Sequence, residues 1–177
     1  MIIILGMDNS GKTTTAKNLT KHRGGEYIQS MGPGSYEEQR EWVLTQIVRK
    51  GEREAIHDRF TCFEEMVYGP IIRDSSNFNL DSKELKILKH LCKPTIVYAR
   101  PPREVIFNFG DREQMPGVIE RAEHLLARYD ELIWKLFCDG WNVLVYDYTT
   151  SNVEKLSQLI DDSSAKEAIN QFINISR

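Results

Sequence analysis

The feature that most constrains the fold is a glycine-rich stretch that directly follows a short apolar run. Residues 2–5 read IIIL, and residues 6–13 read GMDNSGKT. The second stretch matches G-x-x-x-x-G-K-T/S, a loop whose backbone N–H groups surround phosphate oxygens. Uninterrupted β-branched residues are typical of a strand buried on both faces, and residues 13–19 suit a helix. The sequence therefore predicts a strand, a P-loop and a helix, which together begin an α/β fold.

The P-loop residues have expected roles in binding ATP. The helix that follows the loop adds partial positive charge at its N-terminus. Lys12 is expected to reach the β- and γ-phosphates as a catalytic cation, and the Thr13 hydroxyl is expected to hold Mg²⁺. The predicted phosphate-binding residues are Gly6, Asn9, Ser10, Gly11, Lys12, Thr13 and Thr14.

Bulk properties narrow the class of protein. The 177 residues suit one domain over residues 1–177, and a net charge of −3 gives no basic surface for a nucleic-acid backbone. We therefore expect small-molecule nucleotides as partners, with no stable nucleic-acid complex. The three cysteines have no metal-binding spacing and indicate reduced thiols in the cytoplasm. The apolar N-terminal run is too short for a signal peptide or a membrane span.

Strand and helix patterns alternate along the whole chain, which predicts a parallel sheet with helices on both faces, a three-layer α/β/α fold. The predicted strands are residues 2–5, 27–30, 54–57, 95–99 and 142–146. Besides the P-loop helix, the predicted helices run from 35 toward 50, from 81 toward 93, from about 118 to 138, and from 151 onward.

Polar residues follow the third and fourth predicted strands, at the edge where ligands of such sheets bind. We expect Asp58 to lie near the metal and Arg59 to grip a phosphate. Gly69 and Pro70 are expected to break or kink the next helix. Residues 100–117 are polar and contain glycine, which suits a mobile lid that supplies arginine. The lid arginines are Arg100, Arg103 and Arg112.

These residues together resemble the thymidylate kinase group of nucleoside monophosphate kinases, and the stretch 67–70 (VYGP) resembles small phage-type nucleotide kinases. The matching motifs are Gly6-x-Asp8-x-x-Gly11-Lys12-Thr13-Thr14, Asp58-Arg59-Phe60, Tyr68-x-x-x-x-Arg73, Asp111-Arg112 and Arg128-Tyr129. The resemblance implies Mg²⁺-dependent transfer of the ATP γ-phosphoryl group to a (deoxy)nucleoside monophosphate, dTMP or another deoxynucleotide. It also implies a possible homodimer, and location in the host cytoplasm if the protein is phage-encoded.

The resemblance also implies roles for acceptor-site residues. Asp8 would contact the sugar hydroxyl, and Arg59 and Arg73 would hold the monophosphate and the base region. Asn9 stands where some members have a catalytic arginine, so Arg112 would supply that charge. The expected acceptor set is Asp8, Arg59, Phe60, Tyr68, Arg73 and Trp42, although Trp42 can equally be a core residue.

Two departures from the family pattern fall in the acceptor pocket. The arginine-glutamate-proline motif expected after the second strand is replaced by Ser30-Met31-Gly32-Pro33, and the spacing from Asp58 to Tyr68 is one residue longer. Three other functions remain open. One is a deoxynucleoside kinase, with Glu64 or Asp58 as the base. The others are a kinase for nucleic-acid ends or modified bases, and a nucleotide-binding switch protein.

Overall fold

Five strands alternate with helices in the computed structural model, which describes residues 1–49, 51, 53–110 and 116–162. The strands are β1 Ile2–Leu5, β2 Glu26–Gln29, β3 Ala55–Asp58, β4 Thr95–Ala99 and β5 Asn142–Tyr146. The helices are α1 Lys12–Arg23, α2 Tyr36–Val48, α3 Thr61–Ile72, α4 Lys83–Ile87, α5 Arg103–Ile106, α6 Ala122–Cys138 and α7 Val153–Asp162. A π-helical turn, Leu88–Cys92, continues α4.

All described strand pairs are parallel, in the order β2-β3-β1-β4-β5. The predicted parallel sheet of five strands is confirmed. From β1 the chain crosses to the edge strand β2, returns to β3 between β2 and β1, and then passes to β4 and β5 on the other side of β1. The strand order therefore reverses beside β1, and ligands of open α/β sheets bind outside the carboxyl ends of the strands at such a point. The P-loop leaves β1 at this position.

Side-chain alternation along β1 divides the core into two layers. Ile2 and Ile4 pack into the cluster that contains residues of α1 and α7. Ile3 and Leu5 pack into the larger cluster, which contains residues of α2, α3 and α6. Because successive strand residues face opposite sides of a sheet, a continuous apolar run supplies both layers. Helices on both sides hold β1, and hence the start of the P-loop, in place.

Most element boundaries agree with the sequence pattern. β1, β4 and β5 match residue for residue, whereas β2 and β3 are each displaced by one residue. Ser35 and Glu38 form the predicted capping box, in which the Ser35 amide donates to Glu38 Oε2 at 2.9 Å. The longest helix begins at Ala122 rather than near residue 118. Within the described ranges, no helix combines the length and apolar composition needed to cross a bilayer.

Of the expected break or kink at Gly69-Pro70, the break is wrong, because α3 continues through Pro70 to Ile72. Proline has no N–H, so the carbonyl of Met66 loses its normal helical donor. Arg128 on α6 donates to this carbonyl through Nε at 3.3 Å. A side chain from a neighbouring helix therefore replaces the missing donor, and α3 continues for two residues beyond the proline.

Candidate functional site

Glycines at both ends of the P-loop are required by close contacts. A Cβ atom at Gly6 would lie 2.5 Å from Ser10 Oγ and 2.7 Å from the carbonyl of Ala99. Gly11 has φ of 79° and directly precedes α1, and a Cβ there would lie 2.7 Å from the ring of Tyr148. Neither position can hold a larger residue without displacing its neighbours. The loop is therefore a tight turn that ends on the N-terminus of α1, the geometry that binds anions.

Lys12 is turned back onto its own loop. The side chain is 4% exposed, and Nζ donates to the carbonyl of Met7 and to Asp8 Oδ1, both at 3.0 Å. Burial lowers the pKa of Lys12, and the carboxylate of Asp8 opposes this shift. The ammonium is thus held in the loop by one carbonyl and one carboxylate.

Asp8 joins the P-loop to residues that follow β3. Its Oδ1 also accepts from Arg59 Nη2 at 2.5 Å, and its Oδ2 accepts from the Tyr68 hydroxyl at 3.3 Å. Burial alone would raise the pKa of Asp8, but Lys12 and Arg59 outweigh it and hold the pKa below its usual value. One carboxylate is therefore the shared counter-ion of two cations, both of which have expected roles in phosphate chemistry.

Arg59 is fixed by its backbone as well as by its charge. It adopts a left-handed conformation with φ of 69°, and its N–H donates to the carbonyl of Ile4 at 2.9 Å. Its Nε lies 3.8 Å from Glu64 Oε2, and Tyr129 donates to Glu64 Oε1 at 2.6 Å. Burial would lower the pKa of Arg59, but Glu64 and Asp8 raise it. Burial raises the pKa of Glu64.

Asp58 has one oxygen available for a cation. Its Oδ2 accepts from the Tyr27 hydroxyl at 2.7 Å. Its Oδ1 is buried and has no hydrogen-bond partner within the described part of the chain. Asp58 and Thr13 line the same cavity. Carboxylate and hydroxyl oxygens suit Mg²⁺, which is usually held by one or two carboxylates together with substrate phosphates and water. The donor set therefore fits the expected metal.

A cavity of about 310 Å³ is lined by half of the expected acceptor residues. Arg59, Tyr68 and Arg73 all line it. The other lining residues are Thr13, residues 29–33, Gln39, Asp58, Thr61, Glu64 and Glu65. The segment after β2 that departs from the family pattern is therefore part of the cavity wall.

Three expected acceptor residues, Asp8, Phe60 and Trp42, do not line this cavity. Phe60 is fully buried, and Trp42 packs edge-on against it with ring centroids 5.1 Å apart. His57 completes this aromatic group, and burial lowers its pKa to about 4. Phe60 packs into the core, where its ring centroid lies 6.1 Å from that of Phe63. Trp42 has the core role that the sequence left as an alternative.

Sequence reasoning missed a polar network on the cavity wall. Gln39 is fully buried and donates through Nε2 to Glu65 Oε1 at 2.8 Å. Arg73 Nη2 donates to the same oxygen at 2.6 Å, and Asn77 donates to Gln39 Oε1 at 2.7 Å. Arg73 therefore pairs with Glu65, whereas Arg59 pairs with Asp8 and Glu64. The adjacent carboxylates Glu64 and Glu65 in an apolar helix were the signal that could have revealed it.

The first part of the predicted lid, up to Gly110, contacts the P-loop through the side chain of Asn9. Asn9 Nδ2 lies within hydrogen-bond distance of the carbonyls of Val105, Ile106 and Asn108, at 2.9, 3.2 and 2.7 Å. The side chain of Asn9 thus faces α5.

The lid arginines have different surroundings. Arg100 pairs with Asp130 through two nitrogens, at 3.0 and 3.2 Å. Arg103 pairs with Glu123. Both carboxylates belong to α6, so the side chains of these two arginines contact that helix. Arg112 lies outside the described residues.

A second cavity, of about 440 Å³, lies against the other side of the P-loop. Asn9, Gly11 and Thr14 contribute to its wall, whereas Thr13 contributes to the wall of the first. The remaining lining residues are Thr15, Asn18, Tyr146, Tyr148 and residues 151–154. The P-loop is therefore shared by two cavities.

Several solved structures, among them the following three, are similar to this chain. The YorR protein from Bacillus subtilis, in complex with phosphorylated GDP, matches with a TM-score of 0.70 and 20% identity over 90% of this chain and 92% of that one. Deoxyadenosine kinase from M. mycoides with bound dCTP matches with a TM-score of 0.54 and 19% identity over 91% and 96%. The same enzyme with dCMP and dCDP gives 0.54 and 16% over the same shares.

No protein-family model matches the sequence, and no curated protein matches it significantly. At these identities the structural similarity shows the fold alone. The chain has a P-loop α/β/α fold, which it shares with these solved structures.

Proposed function

We propose that the protein is a kinase that transfers the γ-phosphoryl group of ATP to the phosphate of a nucleoside monophosphate. One observation carries this proposal: Lys12 and Arg59 both donate to the carboxylate of Asp8, at a P-loop that lines two cavities. A donor nucleotide fits the second cavity with its phosphates on the P-loop. An acceptor fits the first, where Arg59 lies within reach of its phosphate.

Phosphoryl transfer depends mainly on positioning and on stabilising the charge of the transferring group. In the proposed reaction Lys12 exchanges Asp8 for oxygens of the donor phosphates. Arg59 binds the acceptor phosphate with its planar guanidinium. A phosphate acceptor is already anionic near neutral pH, so its attack requires no general base. Arg112 remains our proposed additional cation from the lid.

The reaction is proposed to depend on Mg²⁺, held by Asp58 Oδ1 and the Thr13 hydroxyl. When bound, the ion would neutralise charge on the donor phosphate oxygens. Asp58 is prepared for this role because Tyr27 occupies only its other oxygen.

A deoxynucleoside kinase is the second candidate, because Glu64 lines the first cavity and has a raised pKa. A carboxylate with a raised pKa can accept the proton of a sugar hydroxyl. The similarity to deoxyadenosine kinase agrees equally well with this candidate. Glu64 Oε2 lies 3.8 Å from Arg59 Nε. In this second candidate, Glu64 and Arg59 would therefore act on a nucleoside hydroxyl instead of a nucleotide phosphate.

One assay distinguishes the two candidates. ADP release would be measured with ATP and Mg²⁺ across ribo- and deoxynucleoside monophosphates and the free nucleosides. We expect release with a monophosphate and little with nucleosides. Arg59→Lys should lower kcat/KM for the monophosphate by roughly 10- to 100-fold, because a point charge does not reproduce a bidentate contact. The exposed Arg53→Lys is the matched control. ADP release with nucleosides but with no monophosphate would refute the proposal. The absence of acceptor-dependent ADP release across the whole panel would also refute it.

A further inference from the structure

The two oxygens of Glu65, on the wall of the first cavity, have different surroundings. The side chain is 7% exposed, and Oε1 accepts from both Gln39 and Arg73. Oε2 receives no hydrogen bond from the residues that the structure describes, and it is not among the fully enclosed polar atoms. Glu65 therefore offers the cavity one carboxylate oxygen with both lone pairs available.

The position of this oxygen is set by a chain of hydrogen bonds. Asn77 donates to the carbonyl oxygen of Gln39, so the amide nitrogen of Gln39 must face Glu65. Arg73 holds the same carboxylate from a second direction. A group fixed in this way loses little freedom when it binds a ligand, which is the condition for a strong and selective contact.

The nucleobases differ in the hydrogen-bond donors that they present on the pairing edge. Guanine has two adjacent donors, N1–H and N2–H, beside the acceptor O6. Thymine, adenine and cytosine each have a single donor group there, and an acceptor atom lies next to it. A carboxylate accepts hydrogen bonds only, so an acceptor atom placed against it is repelled.

We propose that Glu65 selects a guanine nucleotide as the acceptor, with N1–H and N2–H donating to Oε2. This inference rests on the kinase activity proposed above. The guanidinium of Arg73 carries further N–H groups beside Glu65 and is placed to donate to O6. The resemblance described above favours dTMP, but the residues after β2 carry no arginine, and they line this same cavity. The departure from the family pattern therefore falls where the base is recognised.

The first test compares acceptors on the unmodified protein. ADP release would be measured with dGMP, GMP, dIMP, dTMP, dAMP and dCMP. We expect the highest kcat/KM with a guanine nucleotide. dIMP keeps N1–H and O6 but lacks the N2 amine, so it should fall below dGMP by roughly 5- to 50-fold. A preference for dTMP, dAMP or dCMP, or equal use of dIMP and dGMP, would overturn the role of Glu65 and leave the kinase proposal intact. No release with any monophosphate would overturn the kinase proposal itself.

The second test is Glu65→Gln, which keeps the shape of the side chain but replaces one acceptor oxygen with a donor. We expect kcat/KM for dGMP to fall by roughly 10- to 100-fold, the size of one lost bidentate base contact, while dTMP changes less. The matched control is Glu41→Gln, an exposed carboxylate on α2. An equal loss with every acceptor would contradict selection by Glu65. Because the acceptor comparison uses the unmodified protein, it decides the question even if the variant folds poorly.

Discussion

Asp8→Asn should make the protein less stable and at the same time tighten its binding of ADP. Asp8 lies between Lys12 and Arg59, and its side chain is 13% exposed. Asparagine keeps the size of the side chain but removes the negative charge. The two cations then lose their shared counter-ion, and Lys12, which is 4% exposed, is left charged in a buried position.

The magnitude follows from the distance between the charges. At the 3.0 Å that separates Lys12 Nζ from Asp8 Oδ1, the attraction is about 5 kcal/mol for an effective dielectric constant of about 20. Desolvation of both groups offsets part of this attraction, so we expect a net loss of about 2 kcal/mol. For a chain of this size, that loss lowers Tm by roughly 4–8 °C.

ADP supplies the charge that the variant lacks. In the unmodified protein, Lys12 must leave Asp8 before it can bind a phosphate, whereas in Asp8→Asn no carboxylate competes. If 1–2 kcal/mol of the lost stability is recovered on binding, the Kd for ADP falls by about 5- to 30-fold. Calorimetric titration with ADP and thermal unfolding with and without ADP measure the two effects. The exposed carboxylate of Asp162 provides the control variant Asp162→Asn.

The pH dependence gives an independent check. The folded-state pKa of Asp8 lies below the usual value of 3.8. Its contribution to stability is therefore present above the unfolded pKa and is lost as pH falls through the folded pKa. The difference in stability between the two proteins should be constant from pH 7 to pH 5 and should shrink below about pH 4. Equal stability and equal ADP affinity at pH 7 would refute the role assigned to Asp8.

Two further predictions address catalysis and the helix that contains a proline. Lys12→Ala should lower kcat by roughly 10²- to 10³-fold or more, because its charge acts on the transferring phosphoryl group, and near-normal turnover would contradict its role. Arg128→Met should lower the stability by about 1 kcal/mol, since the carbonyl of Met66 loses its donor. In a Pro70→Ala background the N–H of residue 70 can donate to that carbonyl, so Arg128→Met should lower the stability by less, as measured by thermal unfolding. An equal loss of stability in both backgrounds would contradict the explanation.

Local patterns in the sequence were sufficient for the fold. The apolar run of β1, the glycines of the P-loop and the Ser35 capping box each depend on residues close together in the chain, and the structure has them where they were expected. Because crossover connections between parallel strands are short and right-handed, the alternation of strands and helices is compatible with only a few topologies. The positions of Asp58 and Arg59 also followed from local order, because the last residue of a buried parallel strand and the residue directly after it lie at the carboxyl end of that strand.

Contacts between distant segments could not be predicted in this way. Gln39 and Glu65 are 26 residues apart, and their hydrogen bond depends on how α2 and α3 rotate against each other. Hydrophobic spacing indicates which face of a helix is buried, but it does not indicate which polar side chains on that face will meet. The donor from Arg128 to Met66 spans 62 residues and depends equally on packing.

The side chain of Asn9 links the anion-binding loop to the segment that follows β4. Helix α5 ends at Ile106, and Asn9 Nδ2 lies within hydrogen-bond distance of the carbonyls of Val105 and Ile106. A phosphate that shifts the loop must then also shift the end of α5, and a displacement of α5 must alter the affinity of the loop for phosphate by the same free energy. Substitutions in α5 should therefore change nucleotide affinity although they touch no nucleotide atom.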